Sequence, residues 1–415
     1  MNTVPDMMTE NPQTPPASEQ EWRDRMVRTL IETGDARTPR VVAAFRKVPR
    51  HLAVPGTEMA RSYDPENALI TKTDAAGLHI SSVSAPRVQA MQIEQADIHP
   101  GMNVLEIGSG GVNAAYLAEL VGERGHVVTV DIDPEVTQRA KDFLRTTGYR
   151  NVTVITADGT SGAIDFQPYD RILVTVQAAD IPSAWVHQLS ERGRLVVPLR
   201  LRGMTRSVAF VRDEHRLVSD GVELCGFVPM QGAGENRMRV AVIHDVAGEE
   251  IGLRLDDHPE PDADALAKAL SMPRSEAWSG VTLAGNESNE HLDLWLATSL
   301  EDLPLMAVAS AARERGLVAS ASPLGIPTLV DVDSFAYRTV RRTEHPDRFE
   351  LGAIGHGPRG REVAERLAKE MQTWDREHRG DRAHIEVYPA GTPDDQLPAG
   401  RVVDRPHSRL TISWR

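Results

Sequence analysis

NVLEIGSGG, residues 103–111, decides how the chain is read. Val104 and Leu105 run into Glu106, and Gly108, Gly110 and Gly111 follow within four positions. An apolar strand that stops in glycines and then starts a helix exposes backbone N–H groups and lets a ligand come close. Glycines also end strands for structural reasons alone, and the spacing is not G-x-G-x-x-G. Taken alone, the turn is either the mouth of a cofactor pocket or only a tight turn.

The flanking sequence favours the pocket. Strands are expected over 103–107, 126–133, 151–158, 169–176 and 193–199, with helices over 113–121, 134–148 and 181–189 between them. This alternation predicts an α/β fold, a mostly parallel sheet covered on both faces. Strands near 207–212 and 237–244 are expected to finish this domain by about residue 248. The second strand ends in Asp131, twenty-five residues after Glu106, and the third in Ala157-Asp158-Gly159. Ligands of open sheets bind beyond the C-terminal strand ends, where a carboxylate takes hydrogen bonds from ribose hydroxyls. Three such features on one rim point to a ligand containing a nucleoside.

Composition narrows the class. At 415 residues the chain has room for two or three domains. It is 40% hydrophobic and 26% charged, as ordinary globular proteins are. The net charge of -14 argues against a nucleic-acid partner held through phosphates. The single cysteine, Cys225, excludes an intrachain disulfide and a cysteine-rich zinc site, so no metal is expected. No apolar run reaches about 18 residues, so no membrane span is expected. The first twenty residues lack a basic region followed by an apolar core, so no signal peptide is expected and the cytoplasm is the default.

Three regions are expected. Residues 1–20, polar and with four prolines, read as a disordered tail; 21–248 form the α/β domain; 249–415 form a C-terminal α+β domain. The α/β domain opens with helices over 21–33 and about 38–49, an irregular stretch from about 52 to 82, and a helix near 84–98. Ser84 is a candidate cap of that last helix, with Pro86 in its first turn. In the C-terminal region 304–316 reads as at least partly helical, 328–340 as strand, and 360–380 as a strong helix with Val363, Leu367, Met371 and Trp374 on one side. LTISW suits a closing strand.

At this point the sequence resembles a known family. FRKVPRHLAVP, Tyr63-Asp64, VSAPRVQAM, VLEIGSGG, VDID, ADG, YDRILVTVQAADIP and GRLVVPL together resemble the protein-L-isoaspartate (D-aspartate) O-methyltransferases. The resemblance covers about residues 22–245. It implies a Rossmann-like class I methyltransferase fold and S-adenosylmethionine as cofactor, leaving as S-adenosylhomocysteine. By position, Glu106, Gly108, Ser109, Gly110 and Asn113 would border the cofactor. Asp131 would take its ribose with Ile132 beside it, and Asp158 and Gly159 would lie at the adenine. Val174 and Val176 would wall the reaction centre along with Thr175. Ser84 matches the serine that contacts the substrate carboxylate, with Pro86 as its structural partner and Ser82 and Val83 before it. His79 is either an active-site neighbour or a loop histidine.

Two departures from the family stand out. The glycine turn is one residue shorter than the usual glutamate-isoleucine-glycine-threonine-glycine-serine-glycine and puts Val112 and Asn113 there. Ala85 stands where a glutamine is common, after an unusual HISS.

The chemistry so implied needs little from the protein. A carboxylate with a pKa of about 4 is already ionised at neutral pH, so no general base is required. Alignment of carboxylate oxygen, methyl carbon and sulfur does most of the work. Ser84 would orient one carboxylate oxygen and leave the other free to attack; as a helix cap it would do something else, and the two roles are compatible. The ester then invites attack by the next backbone nitrogen and closes a succinimide.

The added 249–415 region resembles an actinobacterial branch tied to ribosomally made modified peptides, the lanthipeptides and graspetides. It implies methylation of an aspartate in a macrocyclised precursor peptide, giving succinimide and sometimes isoaspartate. The alternatives are isoaspartyl repair with an accessory domain, and a degenerate methyltransferase fold that binds peptides. Residues 251–302 carry eleven Asp and Glu against three Lys and Arg. That stretch is either a steering surface for a basic peptide or a solvated face. His345, Arg348, His356, Arg359, Trp278 and Trp295 are candidate peptide contacts, each with a surface or core role as its alternative.

Overall fold

Ser18 accepts a hydrogen bond from the Glu21 amide at 3.2 Å, and the Glu21 carboxylate accepts from the Ser18 amide at 3.1 Å. This reciprocal cap starts the helix Glu19–Glu32, inside the tail expected to be disordered. The computed structural model describes residues 18–74, 77, 79–108, 110–319 and 325–415. The rest of the expected tail, 1–17, and the candidate Ser109 lie outside them. The chain divides into two units: Met1–Asn103 with Ser109–Thr156, and Val104–Gly108 with Ala157–Arg415.

In the first unit, helix Pro39–Lys47 is capped by Thr38 and opened by a proline that has no N–H to lose. Its Phe45 stacks on Tyr116 at 4.0 Å between ring centres. Tyr116 lies on the helix Val112–Val121, which follows the glycine turn and is buried on nearly every side. Strands His126–Asp131 and Val152–Thr156 pair in parallel, joined by the helix Pro134–Thr147. Asp133 caps that helix, and Gly148 ends it in the left-handed conformation.

The stretch expected to be irregular holds an antiparallel hairpin, Leu69–Thr73 against His79–Val83. Its alternation is hard to see because the pairing is broken by register shifts after Ile70 and after Lys72. Side chains hold it in place. Lys72 reaches Asp133 at 2.6 Å and Glu135 at 2.8 Å, and Arg139 donates to Thr71 at 3.2 Å and to Ser81 at 3.4 Å.

In the second unit one sheet runs Asn103–Ile107, Tyr169–Val174, Leu189–Leu201, Met204–Asp213, Arg216–Leu224, Ala383–Pro389, Ser408–Trp414, Arg401–Asp404. Pairing is parallel up to Leu189–Leu201 and antiparallel beyond it. A second, seven-stranded sheet begins with Arg239–His244 and Ile251–Leu255 and ends with Arg348–His356 and Ser275–Ala284. Helix Gly360–Thr373 covers it, burying Val363, Leu367 and Met371 against Leu351 and Leu329, with Trp374 completing the face.

Three expectations change here. Residues 239–244, expected to finish the α/β domain, pair with Ile251–Leu255 in the second sheet. Residues 304–316, expected to be at least partly helical, are helical over Ser310–Glu314 but begin as the strand Leu305–Val308, where pairing with Ile251–Leu255 overrides an alanine-rich pattern. The final strand does not close a separate C-terminal domain. Ala383–Pro389 pairs with both Ser408–Trp414 and Arg216–Leu224, so a cut at 248/249 divides a continuous sheet.

A buried ion cluster ties these segments together. Arg200 donates to Asp256 at 2.9 Å, Arg405 reaches the same carboxylate at 3.1 Å, and the Gly203 amide donates to it at 3.0 Å. The side chains of Arg200, Asp256 and Arg405 are 3%, 1% and 7% exposed. Arg200 also donates to the carbonyl and side-chain oxygens of Asn236. Strand Leu189–Leu201, the 256 loop and the C-terminal hairpin therefore share one charge cluster that water does not reach.

Candidate functional site

The substrate-side candidates sit where the hairpin passes into the helix Pro86–Ala96. Arg50, fully buried, organises this junction: it donates to the Ser84 carbonyl at 3.2 Å and to the Gln89 side chain at 2.9 Å. Gln89 in turn donates to Asn113 at 3.4 Å. Ala85, not Ser84, holds the cap position, and no side chain caps the helix. The expected capping role of Ser84 is therefore absent, and the half-buried hydroxyl is not committed to the helix end. Pro86 takes the first helical position and is buried, as is Val83; Ser82 is half-buried and His79 is exposed at the hairpin's edge. A Cβ placed on Gly110 would make an ordinary contact with the Ser82 carbonyl at 3.9 Å and meet nothing nearer among the described residues.

Gly111 is the helix cap, at φ 81°, and a side chain on it would strike Ala140 at 3.0 Å. The shortened glycine turn thus spends its last glycine on helix packing. No side chain caps the helix it opens. Asp131 ends its strand half-buried, its Oδ1 accepting from the Asp133 amide at 2.8 Å, while Ile132 beside it is 39% exposed.

The second unit supplies the remaining candidates. Glu106 is fully buried on its strand, opposite Leu173, and Val174 pairs with Ile107. Gly108 is held at φ 96° against the chain that follows Val174. The Thr175 hydroxyl donates to the Gly108 carbonyl at 2.6 Å, and an added Cβ would sit 2.6 Å from that hydroxyl and 3.1 Å from Val176. Gly159 is equally constrained, since its Cβ would lie 2.5 Å from Ile107.

Asp158 is the most fully built acidic group. Its Oδ1 accepts from the Thr160 amide at 2.9 Å and hydroxyl at 2.6 Å, and its Oδ2 from the Ala233 amide at 2.7 Å. Burial alone would raise its pKa; the Ala233 amide and both Thr160 donors outweigh it and hold the carboxyl below its ordinary value. A carboxylate has about four lone-pair sites, so one remains on Oδ2 for a further donor.

Two contributors go unmarked in the sequence, and Thr175, expected on the wall, has a further role. Arg50 lies in FRKVPRHLAVP but carries no signal of burial. Thr175 was placed on the wall without its bond to Gly108. The segment 228–233 was passed over. There Gln177 donates its amide to the Val228 carbonyl, Met230 returns one to the Gln177 carbonyl, and Ala233 reaches Asp158. Its signal was the glycine pair of GAG after an apolar FVPM.

The candidate peptide contacts of the C-terminal region are mostly occupied. Arg348 donates to the Thr282 carbonyl and hydroxyl, Arg359 pairs with Asp331, and the His345 ring accepts from the Asp347 amide. His356 is buried against Phe335 and Tyr337; Trp295 stacks on His378, and Trp278 lies under Arg341. Among the described residues no helix is long and apolar enough to cross a membrane.

Known proteins resemble this chain in sequence. The family model for protein-L-isoaspartate(D-aspartate) O-methyltransferase matches residues 20–235. The protein-L-isoaspartate O-methyltransferase of Methanothermobacter thermautotrophicus is 42% identical over 178 residues, 43% of this chain and 79% of that one. The Hyperthermus butylicus protein of the same name is 36% identical over 228 residues, 52% and 92% of the two chains. A solved protein-L-isoaspartate O-methyltransferase aligns over 85% of this chain and 92% of its own, at 21% identity and a TM-score of 0.48. The family match takes in the Arg50-anchored junction and the 228–233 segment as well as the glycine turn. With that match, the chain belongs to the protein-L-isoaspartate (D-aspartate) O-methyltransferase family, enzymes of the class I fold that depend on S-adenosylmethionine.

Proposed function

We propose that this chain methylates the free carboxylate of an isoaspartyl residue in a peptide or protein. The observation that carries the reading is the junction at Ser84. A buried arginine fixes its carbonyl while its hydroxyl is left out of the helix cap, as a group that must present a donor to a substrate carboxylate requires.

The residues fit the cofactor. Gly108 and Gly159 are places where any side chain would collide, while a Cβ on Gly110 would make only an ordinary contact with the Ser82 carbonyl at 3.9 Å. The helix beginning at Val112 has no side-chain cap, so its first turn suits a carboxylate. S-adenosylmethionine supplies an electrophilic methyl group on a positively charged sulfur. Glu106, Gly108, Ser109, Gly110 and Asn113 bind its amino-acid portion, and Asp131 with Ile132 its ribose. Asp158, with a lone pair left, would hold the adenine, with Gly159 beside it. Val174 and Val176 keep water from the transfer site, Ser84 orients the substrate carboxylate, and Ser82, Val83 and Pro86 shape its approach. No residue has to remove a proton, because the acceptor is already ionised.

The second reading is the narrower one: an aspartate side chain in a macrocyclised precursor peptide of the lanthipeptide or graspetide kind, in the actinobacterial branch. The region beyond the family match favours it, since a site that accepts ordinary aspartate must check its substrate elsewhere. Mass spectrometry separates the two. An isoaspartyl peptide that gains one methyl group, beside a cyclised aspartyl peptide that does not, supports the first. A cyclised peptide that gains a methyl group and ends one water lighter than it began replaces it with the second. No methylation of either peptide refutes both.

A further inference from the structure

We propose that a cavity in the C-terminal region, walled by residues 255–262, 299–304 and 329–332, holds a lysine or arginine side chain of the polypeptide substrate. The proposal rests on the peptide-methylating function above.

The cavity encloses about 610 Å³. Its lining includes five carboxylates, Glu260, Asp262, Glu301, Asp302 and Asp331, and one cation, Arg366; from outside the lining, Arg239 pairs with Glu260 at 3.1 Å and Arg401 lies 3.7 Å from Glu301, which leaves Asp262 and Asp302 without an ion-pair partner among the described residues. Arg366 is already paired with Asp331 at 2.5 Å. Glu260, Asp262, Glu301 and Asp302 are exposed at the rim, while Leu255 and Leu329 are buried behind them. His258 also lines the cavity. It is only 3% exposed, and among the described residues neither ring nitrogen has a hydrogen-bond partner.

An orphaned buried imidazole needs a reason, since a buried polar group left unpaired is destabilising. Burial, with Arg202 adding to it, pushes its pKa down to about 4, so at neutral pH the ring is uncharged and keeps an acceptor nitrogen. Among the described residues the ring N–H lacks an acceptor, and the other nitrogen lacks a donor. A lysine or arginine side chain supplies a donor on a long apolar stem: the stem suits the leucines, the N–H groups suit His258, and the charge suits the rim.

The cavity is also held in register with the transfer chemistry. His258 follows Asp256 by two residues, and Asp256 bonds to Arg200 in the water-free cluster. Arg200 grips Asn236, three residues beyond Ala233, whose amide binds Asp158. A basic side chain seated here therefore fixes the substrate at a set spacing from the Asp158 segment.

The test uses the full chain, two fluorescein-labelled peptides and an isoaspartyl peptide without basic residues. One labelled peptide carries three lysines in an alanine background; the other has norleucine in their place. The lysine peptide is expected to bind at least tenfold more tightly in fluorescence polarisation. Glu260→Lys with Asp302→Lys should abolish that preference, and His258→Phe should reduce it at least threefold. Asp264→Lys, a reversal on the neighbouring helix outside the cavity, should leave it within twofold. None of the three should change kcat or KM for the neutral isoaspartyl peptide. Equal binding of the two labelled peptides, or a preference unaffected by the rim reversals, overturns the proposal. So does an equal loss with Asp264→Lys, which would make the effect one of net charge. Absence of methylation with the lysine preference intact refutes the proposed function alone and leaves the cavity's specificity standing.

Discussion

Replacing Asp256 by asparagine tests how the C-terminal region is joined to the methyltransferase sheet. The side chain is 1% exposed and faces two buried guanidinium groups, Arg200 at 2.9 Å and Arg405 at 3.1 Å. Asparagine keeps the shape but leaves Arg200 without its charge partner and Arg405 with Asp257 alone. Removing one member of a buried ion pair costs about 3–5 kcal/mol. At about 2–4 °C per kcal/mol for domains of a couple of hundred residues, Tm should fall by about 6–20 °C. Calorimetry reads this directly. The sheet from Leu189–Leu201 to Ser408–Trp414 is continuous, so one transition carrying most of the second unit's enthalpy should move as a whole. A small separate transition moving alone, with the main one unchanged, would refute the reasoning and restore the 248/249 boundary. Acid adds a second check. Burial opposes ionisation of Asp256, but Arg405 and Arg200 outweigh it and hold its pKa below the ordinary value. Its contribution is complete above the unfolded pKa of about 4 and is lost as pH falls through the folded value. The gap between wild type and variant should be flat near neutrality and narrow in acid.

Three further outcomes are expected. Arg50→Met leaves the Ser84 carbonyl and the Gln89 oxygen without their donor. It should destabilise by about 2–4 kcal/mol and lower kcat at least tenfold, with S-adenosylhomocysteine affinity in calorimetry nearly unchanged. Asp158→Asn sets a donor against the Thr160 or Ala233 donors. It should weaken S-adenosylhomocysteine binding at least tenfold, and unchanged binding would remove Asp158 from the cofactor site. His356, buried chiefly and lying near Arg274, has its pKa pushed down to about 4. Its stability contribution is whole above about 6.5 and lost as pH falls toward the folded value, so His356→Phe should flatten the urea midpoint between pH 7 and pH 5.

The sequence carried the α/β half well because that half is written in short-range signals. Glycines at 108 and 111, prolines at 39, 86 and 134, and a cap at Asp133 mark where elements start and stop. The hairpin Leu69–Thr73 with His79–Val83 escaped because it is set by long-range partners: Lys72 meets Asp133, sixty-one residues on. Leu305–Val308 escaped for the same reason, four residues whose conformation depends on a strand fifty residues earlier. The candidate site divides likewise. Glu106, Asp131 and Asp158 were visible as strand-end carboxylates, and Ser84 through its family segment. Arg50 and Ala233 were not visible, because an arginine with no burial signal and an alanine that donates only its backbone look ordinary in a sequence.

The ion cluster changes what the C-terminal region is. An appended recognition domain would meet the catalytic sheet through a linker and a polar interface, and could move against it. Here the chain leaves the sheet after Leu224, builds a second sheet, and returns through Ala383–Pro389 to hydrogen-bond with the strand it left. Asp180, six residues beyond Val174, holds the return: its carboxylate accepts from the His407 amide and the Ser408 hydroxyl, both at 2.6 Å. The C-terminal segments and the methyltransferase strands therefore share one sheet and buried charges. Loosening the cluster at Asp256 should raise KM for a basic isoaspartyl peptide more than for a neutral one, because only the former uses a wall held by that aspartate. An equal rise for both would mean that the cluster supports the sheet and nothing more.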